Sequence, residues 1–303
     1  MQHVIVRTKL QASIVERLVE DQVVRPPFHL IQASHASEPD PTPHLGKLLR
    51  LAGRVTVIRR PHHGFVRVFL YFLGLLIRSR IDGSDVFLAN VNWYHFGLAL
   101  RLVPGKRIRT FDDGTANVQP RSAFYTDDVV DLSSIRGHVA RRLFPGGVAR
   151  FTRSRIERHY SIYPDMENIV DAQRIVPVRI DWKSMLSAED VTRLPRQVSR
   201  ILIGTVYQEA LKIWGIDVDD ARIAKAIAWA DLYLPHPRQP GSHAVDECLK
   251  KYPAEALISF YASRGPIQVA HFNSSAVLPF ANDPRIQLID LSRDPPLAML
   301  SGQ

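Results

Sequence analysis

The 303-residue chain holds a single cysteine, Cys248, so no internal disulfide and no thiolate metal cluster can form. That fits a cytoplasmic address. No Cys/His or HExxH spacing occurs and the twelve histidines are scattered, so no metal is expected. Long apolar runs are also lacking. The longest, Val68 to Ile77 (VFLYFLGLLI), is about half of what a spanning helix needs. It reads first as a buried core helix, and second, because Arg67, Arg78 and Arg80 flank it, as a segment lying on a membrane surface. Gln2 and His3 lead straight into Val4-Ile5-Val6, which reads as a buried strand and not as the core of a secretory leader.

Acidic residues are in deficit: 30 against 39 lysines and arginines, a formal charge of +9. The excess bears on partners rather than on fold. Between Arg136 and Arg158 stand seven arginines and one acid, Glu157. No zinc-finger, RNP or KH pattern accompanies them, which argues against a nucleic-acid partner. Val139, Leu143, Phe144, Val148 and Phe151 are interleaved with the arginines. That mixture favours an anionic membrane surface or a glycolipid, and with it peripheral attachment to the inner face of a bacterial membrane.

With 46% hydrophobic and 23% charged residues, the chain should fold, and its length suits two α/β domains. Strands are expected at Val4–Arg7, Phe28–Gln32, Val55–Ile58, Val86–Asn90 and Ile108–Phe111, with helices at Ser13–Asp21, His44–Ala52, Phe65–Arg80 and Tyr94–Leu102 between them. Pro39-Asp40-Pro41 breaks the chain between the second strand and the helix that follows it. The stretch from Arg121 to Ser161 reads as irregular, a connection with short helices interrupted by Pro145-Gly146-Gly147. Alternation then resumes. A short strand falls within Ile169–Val176, and further strands at Arg200–Ile203, Leu232–Leu234, Ile267–Ala270 and Ile286–Asp290. Helices are expected at Asp219–Trp229 and Ala244–Lys251. Such alternation implies parallel, doubly wound sheets, divided here as residues 1–160 and 161–303.

In open parallel sheets ligands sit outside the carboxyl ends of the strands. Three polar clusters fall there: Asp112-Asp113-Gly114, His236-Pro237-Arg238 and Ser274-Ser275. A carboxylate pair, a protonatable cation and paired hydroxyls suit attack by a hydroxyl on a phosphate-activated carbon. Singly, each has a plainer reading: Asp-Gly as a turn, His-Pro-Arg as a loop, Ser-Ser as a helix cap. Asp127-Asp128 reads as a helix cap as well.

The order of the clusters carries a resemblance. Phe111-Asp112-Asp113-Gly114-Thr115-Ala116-Asn117 resembles the acidic motif of bacterial sialyltransferases, most closely glycosyltransferase family 52, the lipooligosaccharide sialyltransferases. Tyr233-Leu234-Pro235-His236-Pro237-Arg238 resembles that family's HP motif, and Phe272-Asn273-Ser274-Ser275-Ala276 its serine motif. Ile203-Gly204-Thr205 and His159-Tyr160-Ser161-Ile162-Tyr163 are similar to other family segments.

The resemblance implies a GT-B fold, two Rossmann-like domains facing across a cleft. The first would be the acceptor side and the second the CMP-binding side. It implies inverting, metal-independent transfer of sialic acid from CMP-sialic acid to a glycan or glycolipid such as lipooligosaccharide, with no cofactor, and a homodimer. Asp112 or Asp113 would be the base, His236 the phosphate contact and acid, and Ser274 and Ser275 phosphate ligands. Gly114, Gly204, Thr205, Pro237 and Arg238 would lie in the binding site. A reserve base is Glu209, with Asp217, Asp219 and Asp220 in the same segment. Two other functions compete: a GT-B hexosyltransferase of lipopolysaccharide using another nucleotide sugar, and a non-catalytic basic scaffold binding membrane or nucleic acid.

Overall fold

The structure, a computed structural model, describes residues 1–34, 43–59, 64–114, 116–120, 122–126, 142–205, 220–236, 252–272 and 274–292. The chain divides into two compact units, Met1–Ile180 and Asp181–Gln303. The first runs past the boundary expected at residue 160, because a strand beyond that point still belongs to its sheet.

In the first unit, strands β1 (His3–Val6), β2 (Phe28–Ser34), β3 (Ala52–Arg59), β4 (Val86–Leu88), β5 (Ile108–Phe111), β6 (Ile156–Ser161) and β7 (Ile175–Pro177) form one sheet. Its order is β3-β2-β1-β4-β5-β6-β7, and every pairing is parallel. The helices are α1 (Lys9–Glu20), α2 (Pro43–Leu51), α3 (Phe65–Ile81), α4 (Tyr94–Arg101), α5 (Ala123–Thr126) and α6 (Val148–Ser154).

Alternation along β1 decides which face each side chain takes. Val4 and Val6 pack with Ile14, Val15 and Leu18 of α1 and Leu48 of α2. Ile5 packs on the other face, with Phe72 and Leu76 of α3 and Phe96 and Leu100 of α4. Thr8 starts α1 as its N-cap, its hydroxyl accepting from the Gln11 amide.

β6 lies inside the stretch that reads as irregular in sequence. Only Ile156 and Tyr160 are buried apolar side chains there; His159 and Ser161 are buried and polar. A strand whose inward positions carry polar groups has no apolar alternation to reveal it. Two arginines of that basic stretch are taken up by the fold. Arg153 donates to the Ile169 carbonyl at 2.7 Å and lies over the Tyr125 ring, and Arg155 lies over Phe151. Residues 127–141, with Asp127, Asp128 and Arg136, lie outside the described residues, as do Pro39-Asp40-Pro41.

The second unit holds β8 (Arg200–Ile203), β9 (Leu232–Leu234), β10 (Ile267–His271) and β11 (Ile286–Asp290), parallel in the order β11-β10-β8-β9. Its helices are α7 (Ala188–Arg193), α8 (Asp220–Trp229) and α9 (Ala254–Ala262), with 3-10 turns at Trp182–Met185 and Ser275–Phe280. Helix α9 has no counterpart in the sequence reading: almost all its residues are buried, so it shows no amphipathic stripe. The helix expected at Ala244–Lys251, with Cys248, lies outside the described residues. Among the described residues, no helix is long and apolar enough to cross a membrane.

Candidate active site

The sheet of the first unit reverses its winding between β1 and β4, and Arg7, Thr8 and Asn90 follow those strands. This is the position where doubly wound sheets hold ligands. The Asp112-Asp113 pair leaves β5 next to it.

The two aspartates face opposite ways. Asp112 has 0% exposure. Its Oδ1 accepts from His159 Nε2 at 2.9 Å, and its Oδ2 from Ser161 Oγ at 2.9 Å and the Ile162 amide at 2.6 Å. On the other side of the ring, His159 Nδ1 and Thr110 Oγ1 are hydrogen-bonded at 2.8 Å. Ser161 Oγ in turn accepts from the Tyr163 amide and Asn168 Nδ2. Asp112 thus ties β5 to β6 and to the chain after β6, with both oxygens engaged.

Asp113 is half-buried at the sheet edge. Its carboxylate accepts from Gln11 Nε2 and, at 3.3 Å, from Asn90 Nδ2. Burial pushes its pKa above the ordinary carboxylate value; the Arg7 guanidinium and the Gln11 and Asn90 hydrogen bonds pull it back. The Asp113 amide donates to Asn117 Oδ1 at 2.6 Å, and Gly114 follows at φ 73°, a backbone conformation that glycine adopts without strain. Arg7 stacks over the Trp93 ring, 5.8 Å from its centre. Sequence reasoning missed Arg7, Gln11 and Asn90. They precede or follow strands 20 residues or more from the acidic motif, and only the strand order brings them to it.

In the second unit the winding reverses between β8 and β10. Gly204-Thr205 follow β8, Pro235-His236 follow β9, and Phe272 and Ser274 follow β10, so these residues gather at the carboxyl ends of three adjacent strands. The Gly204 amide donates to the Leu234 carbonyl at 2.8 Å, joining the first two loops. A Cβ on Gly204 would stand 2.8 Å from Tyr233 Oη and 3.1 Å from Pro235 Cα, so a larger residue would press on the Tyr233 ring and the Pro235 backbone. Thr205 is buried and His236 half-buried.

Ser274 caps the 3-10 turn, its hydroxyl accepting from the Ala276 amide at 3.4 Å, and its own amide donates to His271 Nδ1 at 3.3 Å. The plainer reading of Ser-Ser as a cap therefore describes Ser274, and Ser275 opens the turn. His271, at the end of β10, was not singled out in sequence. Pro237, Arg238, Glu209, Asp217 and Asp219 lie outside the described residues, and Asp220 opens α8. Among the described residues, no group of three or more His, Cys, Asp or Glu is placed to hold a metal ion.

Two parallel, doubly wound units, each with polar residues gathered where its strand order reverses, define a two-unit Rossmann-like α/β protein. The chain belongs to glycosyltransferase family 52, whose profile matches residues 53–293, and is a glycosyltransferase. It is 26% identical over 247 residues to a CMP-N-acetylneuraminate:beta-galactoside alpha-2,3-sialyltransferase of Pasteurella multocida, a match covering 79% of this chain and 73% of the relative. It is also 26% identical over 212 residues to an N-acetyllactosaminide alpha-2,3-sialyltransferase of Neisseria meningitidis, covering 68% of this chain and 54% of the relative. Among solved structures, a glycosyltransferase from Rickettsia africae aligns over 98% of this chain and 85% of its own, at TM-score 0.42 and 12% identity.

Proposed function

We propose that this glycosyltransferase is a sialyltransferase with a GT-B arrangement. It moves sialic acid from CMP-sialic acid to a terminal sugar hydroxyl of lipooligosaccharide or a similar surface glycan, with inversion and without a metal. The names of the two sialyltransferase relatives support the donor, and those names suggest a β-galactoside as acceptor. The single structural observation behind the reading is the gathering of Gly204-Thr205, His236 and Ser274 at one sheet edge.

The chemistry follows from these groups. Departure of CMP places negative charge on a single phosphate. Protonated His236 and hydroxyl donors would meet that charge as it develops, worth a few kcal/mol per well-placed donor. A single phosphate monoester can be held by such donors alone. Asp113 is the candidate base in the first unit. Its raised pKa suits proton uptake from an acceptor hydroxyl, and Gln11 and Asn90 hold it in one orientation. Asp112 is fully buried and both of its oxygens already accept hydrogen bonds within the fold.

Calorimetric titration with CMP, UMP and UDP in EDTA tests the donor. CMP should bind preferentially, and His236→Ala should weaken it at least tenfold. Preference for UDP would replace this reading with the hexosyltransferase one. Binding of none of the three, together with no transfer from CMP-sialic acid to a β-galactoside, would leave the scaffold.

A further inference from the structure

Helix α3 is apolar nearly all round, yet among the described residues only one side of it is covered. Val68, Phe72, Leu75 and Leu76 are buried against the sheet, while Val66, Leu70, Ile77 and Ile81 are 64%, 56%, 44% and 82% exposed. At about 100° per residue these four fall within an arc of about 60°, a stripe running the whole helix, about 25 Å. Arg67 and Arg78 lie about 40–60° beyond one edge of the stripe and Arg80 about 40° beyond the other. From Phe65 to Ile81 there is no aspartate or glutamate. A surface helix of a water-facing protein ordinarily turns a polar face outward; this one turns outward an apolar stripe edged with cations.

We infer that α3 is a docking surface for an anionic lipid bilayer, with the stripe sunk among the acyl chains and the three arginines at the phosphate level. Charge decides between this occupant and a second copy of the chain. Two such faces brought together would oppose cations to cations, whereas an anionic headgroup layer pairs with them. The start of α3 also stands at the carboxyl edge of the sheet: the Phe65 ring lies 4.4 Å from His95 and 5.9 Å from Tyr94, at the head of α4. The start of α3 thus stands at the same sheet edge as Asp113. The inference bears on the proposed function only in that a lipid-borne acceptor would be presented there.

The test is flotation of the full chain with phosphatidylcholine vesicles and with vesicles enriched in phosphatidylglycerol, alongside sedimentation of the free protein. The wild type should float with the anionic vesicles and not with the neutral ones. Replacing Arg67, Arg78 and Arg80 together by glutamine should cut partitioning roughly a hundredfold, at about 1 kcal/mol per cation. Leu70→Glu with Ile77→Glu should abolish it, with the thermal midpoint unchanged. Leu70→Ser offers a milder change if the double variant does not fold. Absence of flotation in the wild type would overturn the inference, as would flotation unaffected in the folded variants. So would a dimer that Leu70→Glu splits without any lipid binding. Transfer to a soluble β-galactoside reads the proposed function separately. Vesicle binding without transfer would leave α3 as the docking surface and remove the sialyltransferase reading. Transfer without vesicle binding would do the reverse.

Discussion

Asp112 and His159 are hydrogen-bonded at 2.9 Å across β5 and β6, and both side chains are fully buried. The neighbouring Asp113 points to the sheet edge instead, so two adjacent aspartates carry different burdens.

Asp112→Ala is predicted to be a stability variant. It strips a partner from His159, Ser161 and the Ile162 amide at once, leaving buried donors unmet. The expected cost is about 3 kcal/mol, seen as a lower thermal midpoint. Asp113→Asn should instead melt within about 1 kcal/mol of the wild type while kcat falls roughly 10²–10⁴-fold. A wild-type kcat in Asp113→Asn would move the base to the segment holding Glu209, Asp217, Asp219 and Asp220.

The acid side of the pH–rate profile should report Asp113. A base works deprotonated, so kcat/KM falls as pH drops through its pKa, which burial raises. Arg7 opposes that rise. Arg7→Gln should therefore move the acidic limb to higher pH, and Gln11→Leu, which removes a donor to the carboxylate, should do the same. Unmoved limbs in both variants would remove Asp113 from the titration.

His3 and His29 make a second pH-dependent pair, far from the site in function. Their Nδ1 atoms are 3.1 Å apart across β1 and β2, and His29 Nε2 lies 2.9 Å from Thr56 Oγ1. Burial lowers both pKa values from 6.5 to about 4. Between about 6.5 and 4 the unfolded chain binds more protons than the folded one, so stability is lost as pH falls through that window. Thermal melts should show this decline, with a shallower slope in His3→Leu. Equal slopes would show that the pair does not titrate in the transition.

Gly204→Ala tests the join between the β8 and β9 loops. Its Cβ would press on Tyr233 Oη and the Pro235 backbone, immediately before His236. Overpacking of this kind costs about 1–3 kcal/mol. CMP affinity should fall several-fold with the rest of the fold intact. Unchanged affinity would separate the loop from the donor site.

Much of this protein was determined by local sequence. Apolar strands such as Arg200–Ile203 and Ile108–Phe111 appear at the expected residues because a short buried strand must be apolar and must end in a turn. The Asp-Asp-Gly, His-Pro and Ser-Ser motifs were visible because each follows such a strand. Tertiary structure alone decided the rest. β6 escaped notice because its inward residues are spent on hydrogen bonds to Asp112. The different surroundings of Asp112 and Asp113 needed the neighbouring strand, whose His159 and Ser161 hydrogen-bond to Asp112 alone. Arg7, Gln11 and Asn90 joined the site through the strand order β1-β4-β5, a non-local pairing that no spacing along the chain encodes. The exposed face of α3 is of the same kind: an apolar run announces a helix, but only packing shows which side the described residues leave exposed.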